Sequence, residues 1–322
     1  MSSRRRQRTV ALACALSAAL AARSAVAGEY EVCVDVTSDV RALGSDDAFV
    51  QEPARDRLSA LGPAAFPALL RALEHEEPAV REAIVGVFAD APKTDDAVRR
   101  GVARAARKDP EAAVRAVAVP ALRRIAGADS RDVVVAALGD PDPAVRRKAI
   151  TACTKLCTDD AALAALVALA LDDEPLSNAL QAKRVLWTLT GEGQDTALVD
   201  RVRTATVAAS GKSAGASRGS ERRTLLGALL LAEIGDASQF DAVARAAGSG
   251  QPVEIRIHAV HALGRLGGAD RVALLAGLQQ DAAVGIHAND ALRRMSERGV
   301  PGAADAAASH TGPRAPQPLP RP

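Results

Sequence analysis

Apolar residues recur along this chain at a fixed set of intervals. With Val145 as an anchor, a small residue follows four positions on (Ala149), Cys153 follows eight on, and Leu156 eleven on. From Val114 the same offsets give Ala118, Leu122 and Ile125. From Ile255 they give Ala259, Leu263 and Leu266, with Gly267 following. These offsets fall on one face of an α-helix, so each anchor opens a helix with one apolar stripe. The template fits at Val50, Val80, Val114, Val145, Asn178, Arg223, Ile255 and Val284, at intervals of 30, 34, 31, 33, 45, 32 and 29 residues. Asn178 and Arg223 stand where the other units carry an apolar anchor. The registers of the fifth and sixth units therefore rest on their later positions.

An acidic, often proline-containing turn precedes the anchors, as in Asp140-Pro141-Asp142-Pro143. Acids favour a helix N-terminus, and proline is tolerated in the first helical turn. Before each turn lies a second amphipathic stretch: Ala64 to Leu73, Ala97 to Ala106, Arg131 to Leu138, Ala161 to Leu171, Ala197 to Ala208, Phe240 to Ala247 and Arg271 to Leu278. Each unit is thus a helix–turn–helix hairpin. A single hairpin cannot bury both stripes, whereas stacked neighbours can. The turn Asp-Pro-x-x-Ala-Val-Arg (Asp140 to Arg146) and the run Ala-x-x-x-Leu-x-x-Leu-Gly (Ala259 to Gly267) resemble the HEAT repeat family, in the short form also seen in phycobilisome lyases. The resemblance covers roughly residues 35–299 and implies an all-α, right-handed α-solenoid of about eight HEAT-like hairpins. It specifies a fold more than a function.

The long fifth interval contains an insertion at 210–220, Ser-Gly-Lys-Ser-Ala-Gly-Ala-Ser-Arg-Gly-Ser, with the composition of a flexible loop. Its Gly-Lys-Ser lacks the upstream glycines and the strand of a phosphate-binding loop. Residues 300–322 turn to Ala, Pro and Gly and read as a disordered tail, leaving 28–299 for the solenoid.

At the other end, Arg4-Arg5-Arg6-Gln7-Arg8 precedes a short apolar run from Val10 to Ala22, and Ala25-Val26-Ala27 supplies a cleavage site before Gly28. This order predicts a signal peptide over 1–27 and an exported protein, in the periplasm, cell envelope or medium. The apolar run is too short to span a bilayer, so no membrane span is expected in the mature chain. Of the 41 basic residues, five lie in 1–27 with no acid, which leaves 36 against 39 acids. That balance gives no global attraction for nucleic acid. Export brings an oxidising compartment. Cys33, Cys153 and Cys157 remain after cleavage, an odd number. The i,i+4 pair Cys153/Cys157 reads as two buried small hydrophobes on a helix, and a bond from Cys33 to either is left open.

Aromatic residues are only 2% of the chain, which suits closely packed Ala, Leu and Val helices rather than sheets. No catalytic triad, carboxylate pair or cofactor motif stands out, so no enzyme activity, cofactor or metal is assigned. His258 and His287 share one offset, and His261 and Asp290 another, which makes a metal site conceivable. His75-Glu76 matches in type the His-Glu pairs with which the HEAT-repeat enzyme deoxyhypusine hydroxylase holds iron, but one pair does not make that ligand set.

The informative positions lie opposite the buried stripe, on the side expected to be concave. Two residues after each anchor the chain reads Glu52, Glu82, Ala116, Arg147, Leu180, Leu225, Ile257, Ile286, turning from polar to apolar midway. Leu229 and Trp187, the only tryptophan, extend the apolar part, and Arg123, Arg124, Arg147, Lys148 and Arg184 flank it. An exposed apolar row with Trp and Arg anchors predicts a groove for a protein or peptide partner. Packing between neighbouring helices, or cover by the 210–220 loop, are the competing explanations. Two further readings stand beside the scaffold: an accessory subunit or lyase-like factor acting on a cofactor-bearing protein, and a metal- or anion-binding module.

Overall fold

The computed structural model describes residues 36–309, apart from 155, 192–194 and 211–217 and the side chains of 210 and 218–220. The predicted signal peptide, Cys33, the centre of the insertion and residues 310–322 lie outside the described residues. The rest is all helical: α1 (Thr37–Leu43), α2 (Ala48–Leu61), α3 (Phe66–Ala72), α4 (Pro78–Asp90), α5 (Asp96–Lys108), α6 (Ala112–Ala126), α7 (Arg131–Ala137), α8 (Pro143–Ala152), α9 (Asp160–Asp172), α10 (Leu176–Leu189), α11 (Thr196–Ser210), α12 (Arg218–Glu233), α13 (Phe240–Ala246), α14 (Val253–Leu266), α15 (Ala269–Leu278), α16 (Gly285–Glu297) and α17 (Ala303–Ala308). The chain is an α-solenoid. The helices from α1 to α16 pair in order into eight hairpins, and the even-numbered helix of each is the one that the anchors predicted.

The stripe is buried as the offsets require. Val80, Ile84 and Phe88, then Val114, Ala118 and Leu122, then Val145 and Ala149, and Ile255, Ala259 and Leu263 are all core residues. Val50 is the exception and is exposed beside Phe49, because among the described residues no hairpin precedes the first to cover it. Aspartates start the helices: Asp95 accepts from the Val98 amide, Asp142 from those of Ala144 and Val145, and Asp159 from that of Ala162. Each bond satisfies a donor that the first helical turn leaves without an intrahelical partner.

In the second, third, fourth and seventh repeats an arginine directly after the anchor ties the repeat to the next. Arg81 holds Asp109 with two N–H donors, and its third nitrogen donates to the carbonyls of His75 and Glu76. Arg115 repeats the arrangement with Asp140 and the carbonyls of Asp109 and Pro110, and Arg146 with Asp173 and those of Asp140 and Pro141. Arg256 closes a fourth rung on Asp281. One guanidinium therefore caps its own turn and grips the following one. The ladder breaks at the fifth and sixth repeats. There Asn178 donates to the Pro143 carbonyl, while Arg222 and Arg223 reach back to the turn holding Asp172, Asp173 and Glu174.

Two expectations need correction. Cys153 and Cys157 do not share a helix as separate hydrophobes. α8 ends at Ala152, the chain turns, and the two buried cysteines form a disulfide across a Cα–Cα distance of 5.0 Å. Residues 300–309 also depart from a disordered tail. Gly302 turns the chain with φ 79°, which only glycine adopts freely. α17 then packs on the last hairpin with Ala303 buried and the Ala306 carbonyl accepting from Gln279 Nε2 at 2.8 Å.

Candidate partner-binding face

The sixth repeat is built differently from its neighbours. From Leu225 to Ala232 the chain has no polar residue, and every position from Leu226 to Ile234 is buried. A stretch apolar on all sides belongs inside, and the second half of α12 is accordingly buried. The helices on either side, α10 and α14, reach one another through long side chains. Lys183 of α10 places Nζ 2.9 Å from Nδ1 of His258 on α14, and the Arg265 guanidinium of α14 lies 4.2 Å from the centroid of the Trp187 ring of α10. The face continues onto α16 through an edge-to-face contact of His261 with His287, at 5.3 Å between ring centroids.

Glu233, at the end of the apolar run, is the charge around which these contacts are organised. Its carboxylate lies 3.0 Å from Lys183 Nζ and 3.1 Å from Arg265 Nη1. The Lys183 side chain is 1% exposed, so burial lowers its pKa against the opposing pull of Glu233. Burial, then the cationic Lys183, then His261, Arg265 and Arg184 push His258 down to about 3. Burial, then His287, Arg294 and Arg265 push His261 down to about 4, with Asp290 working in the other direction. Both imidazoles are neutral at neutral pH, and His258 Nδ1 lies within hydrogen-bond distance of Lys183 Nζ. These neighbours also identify one group of side chains spread over α10, α14 and α16.

The apolar row is arranged otherwise than predicted. Leu229, on α12, is fully buried and presents nothing to a partner. Leu180, Trp187, Leu225, Ile257 and Ile286 are half-buried, and Leu225 lines a cavity of about 570 Å³ with Ile255, Pro252, Gln251, Arg222 and Arg245. Neighbouring second helices thus take up part of the row, the first of the competing explanations. Of the basic flank, Arg124 is ion-paired to Asp90 at 2.8 Å. Arg123, Arg147, Lys148 and Arg184 are exposed on α6, α8 and α10, without an ion pair among the described residues. Lys183, Glu233 and Arg265 were missed, yet a lone Glu ending an eight-residue apolar run was a visible signal that a buried acid needs a cation.

The conceivable metal cluster is engaged in other contacts. His258 Nδ1 faces Lys183, and the two Asp290 oxygens pair with Arg293 and Arg294. Among the described residues no group of three or more His, Cys, Asp or Glu side chains is placed to hold a metal ion. His75 uses Nδ1 to accept the Glu77 amide within its turn. No described helix is long and apolar enough to cross a membrane.

Residues 100–186 match the family model described as HEAT repeats. No curated protein matches the sequence. Among solved structures, that of Escherichia coli YibA aligns with a TM-score of 0.53 at 14% identity, covering 85% of this chain and 99% of that one. Human deoxyhypusine hydroxylase, in a complex with glycerol, aligns with a TM-score of 0.32 at 16% identity over 82% of this chain and 96% of that one. An engineered protein aligns with a TM-score of 0.37 at 17% identity over 85% and 92%.

Proposed function

We propose that this chain, whose residues 100–186 match HEAT repeats, is an exported, non-enzymatic scaffold that binds a protein or peptide partner on the face shared by α10, α14 and α16. The observation that carries this reading is the continuity of that face. Half-exposed Leu180, Trp187, Ile257 and Ile286 lie among exposed arginines on three second helices that touch one another. Trp and Arg set in a partly apolar surface are the residue types that dominate binding energy at protein interfaces.

Export is supported by the basic, apolar and Ala-x-Ala segments of residues 1–27 and by the Cys153–Cys157 disulfide, a bond that persists in oxidising compartments. The absence of catalysis is part of the proposal. Its support is that the ionisable groups converging on this face are engaged with one another: Lys183 with Glu233 and His258, Arg265 with Glu233, and Asp290 with Arg293 and Arg294.

Affinity capture from the envelope fraction with the mature chain tests the proposal, comparing wild type with Trp187→Ala and Leu180→Asp. The reading expects a partner that is lost with both variants while circular dichroism shows unchanged helix. Undiminished capture by both folded variants would remove this face as the binding site.

A further inference from the structure

Among the charges on the α10–α14–α16 face, the acids and Lys183 lie inside and the arginines outside. Glu233 is 7% exposed and Asp290 12%, and each is gripped by two cationic side chains. The guanidiniums that grip them from the outer side are far more open: Arg265 is 36% exposed, Arg293 44% and Arg294 60%. Arg184 stands exposed beside them with no ion pair among the described residues. Both carboxylates are thus spent inward, and the potential turned to solvent is positive. The histidines register it: besides burial, the cations Lys183, Arg184, Arg265 and Arg294 act to keep His258 and His261 unprotonated.

We propose that this face recognises an acidic peptide segment, in which Asp or Glu side chains meet Arg184, Arg265 and Arg294 and interleaved aliphatic side chains rest on Leu180, Trp187, Ile257 and Ile286. The inference rests on the partner-binding reading above and names the chemistry of the partner. Guanidinium groups match carboxylates with two parallel N–H donors. The half-buried Leu, Ile and Trp positions offer apolar contact that a free inorganic anion cannot use. Half-buried Trp187, with the Arg265 guanidinium over its ring, brings both kinds of contact together.

Because Trp187 is the only tryptophan, its emission reports on this face directly. The mature protein would be titrated with a short peptide of alternating Glu and Leu, with its Lys-for-Glu counterpart, and with inorganic phosphate. The Glu–Leu peptide is expected to change Trp187 emission saturably. Arg184→Glu with Arg294→Glu is expected to weaken that binding by roughly tenfold or more. Each of these arginines is exposed, so helix content should hold. Arg107→Glu, on α5, where the side chain is exposed and remote from this face, serves as the control for a general loss of positive charge and is expected to leave binding unchanged. An equal response to the Lys–Leu peptide or to phosphate alone, no response to the Glu–Leu peptide, or undiminished binding by the double variant would each overturn the proposal. If partner capture still depends on Trp187 and Leu180 while any of these contrary results is obtained, the scaffold reading stands and the acidic preference alone falls.

Discussion

Lys183 illustrates how a single residue changes the meaning of its repeat. It sits five positions after its anchor, where other repeats carry Val85, Val119, Ile150 and Val260 in the core. A buried lysine there requires an acid, and Glu233 of α12 meets the requirement. Lys183→Met leaves buried Glu233 with the partly exposed Arg265 as its remaining cation and should therefore cost about 3 kcal/mol. Lys183→Met with Glu233→Leu should recover a large part of that loss in urea titrations of the same protein. A double variant as unstable as the sum of the two singles would show that the pair is not coupled. The neighbouring histidines set a pH dependence. Their folded-state pKa values of about 3 and about 4 lie below the ordinary 6.5, so the unfolded chain takes up protons that the folded one refuses. Stability is full above about pH 6.5 and falls as the pH drops toward about 4. Thermal unfolding should show that fall, and His258→Gln with His261→Gln should flatten it.

At the scale of the element, the hairpin is the unit, and what joins hairpins is the arginine after the anchor. The offsets of the apolar stripe were legible because a helix buries one face and the chain repeats that face many times. The ladder was present in the same motif: Arg146 closes Asp-Pro-x-x-Ala-Val-Arg, and Arg115 and Arg81 hold the same place. Its role could not be read, because its partner belongs to the following repeat, some 25 or more residues away. The disulfide was hidden for a local reason. Spacing i,i+4 looks helical until the helix ends, and α8 ends one residue before Cys153. The apolar row of the sequence is a different surface in the structure, since the second half of α12 is apolar on every side and is buried. For Asp140, burial works to raise the carboxyl pKa, but Arg115, the Asp142 amide and Arg146 together hold it below the usual carboxylate range. Asp140→Ala should accordingly cost about 2–4 kcal/mol at neutral pH. Chemical denaturation of the variant checks this, and a loss below about 0.5 kcal/mol, as at an ordinary surface site, would reduce the rung to decoration.

At the scale of the molecule, the stack is uneven. A regular ladder runs through repeats two to four, breaks at five and six, and resumes at seven. The break coincides with the insertion, the buried second half of α12 and the side-chain contacts of α10 with α14. The face proposed for a partner is built where the repeat departs from its own rule. Export carries a separate prediction for the whole chain. Mass spectrometry of protein recovered from the envelope or medium should find an N-terminus at Gly28 and Cys153 and Cys157 resistant to alkylation until reduced. Protein that retains Met1 and has both cysteines free would contradict it.

The most direct test of the partner face is hydroxyl-radical footprinting of the mature protein with and without its captured partner. The account predicts that the partner shields Trp187, Leu180, Ile257 and His287 together, on three helices linked by the side-chain contacts of Lys183, Arg265 and His261, and leaves exposed Phe49 and Val207 unchanged. Shielding confined to Phe49 and its neighbours, with Trp187 as reactive in the complex as in the free protein, would contradict it.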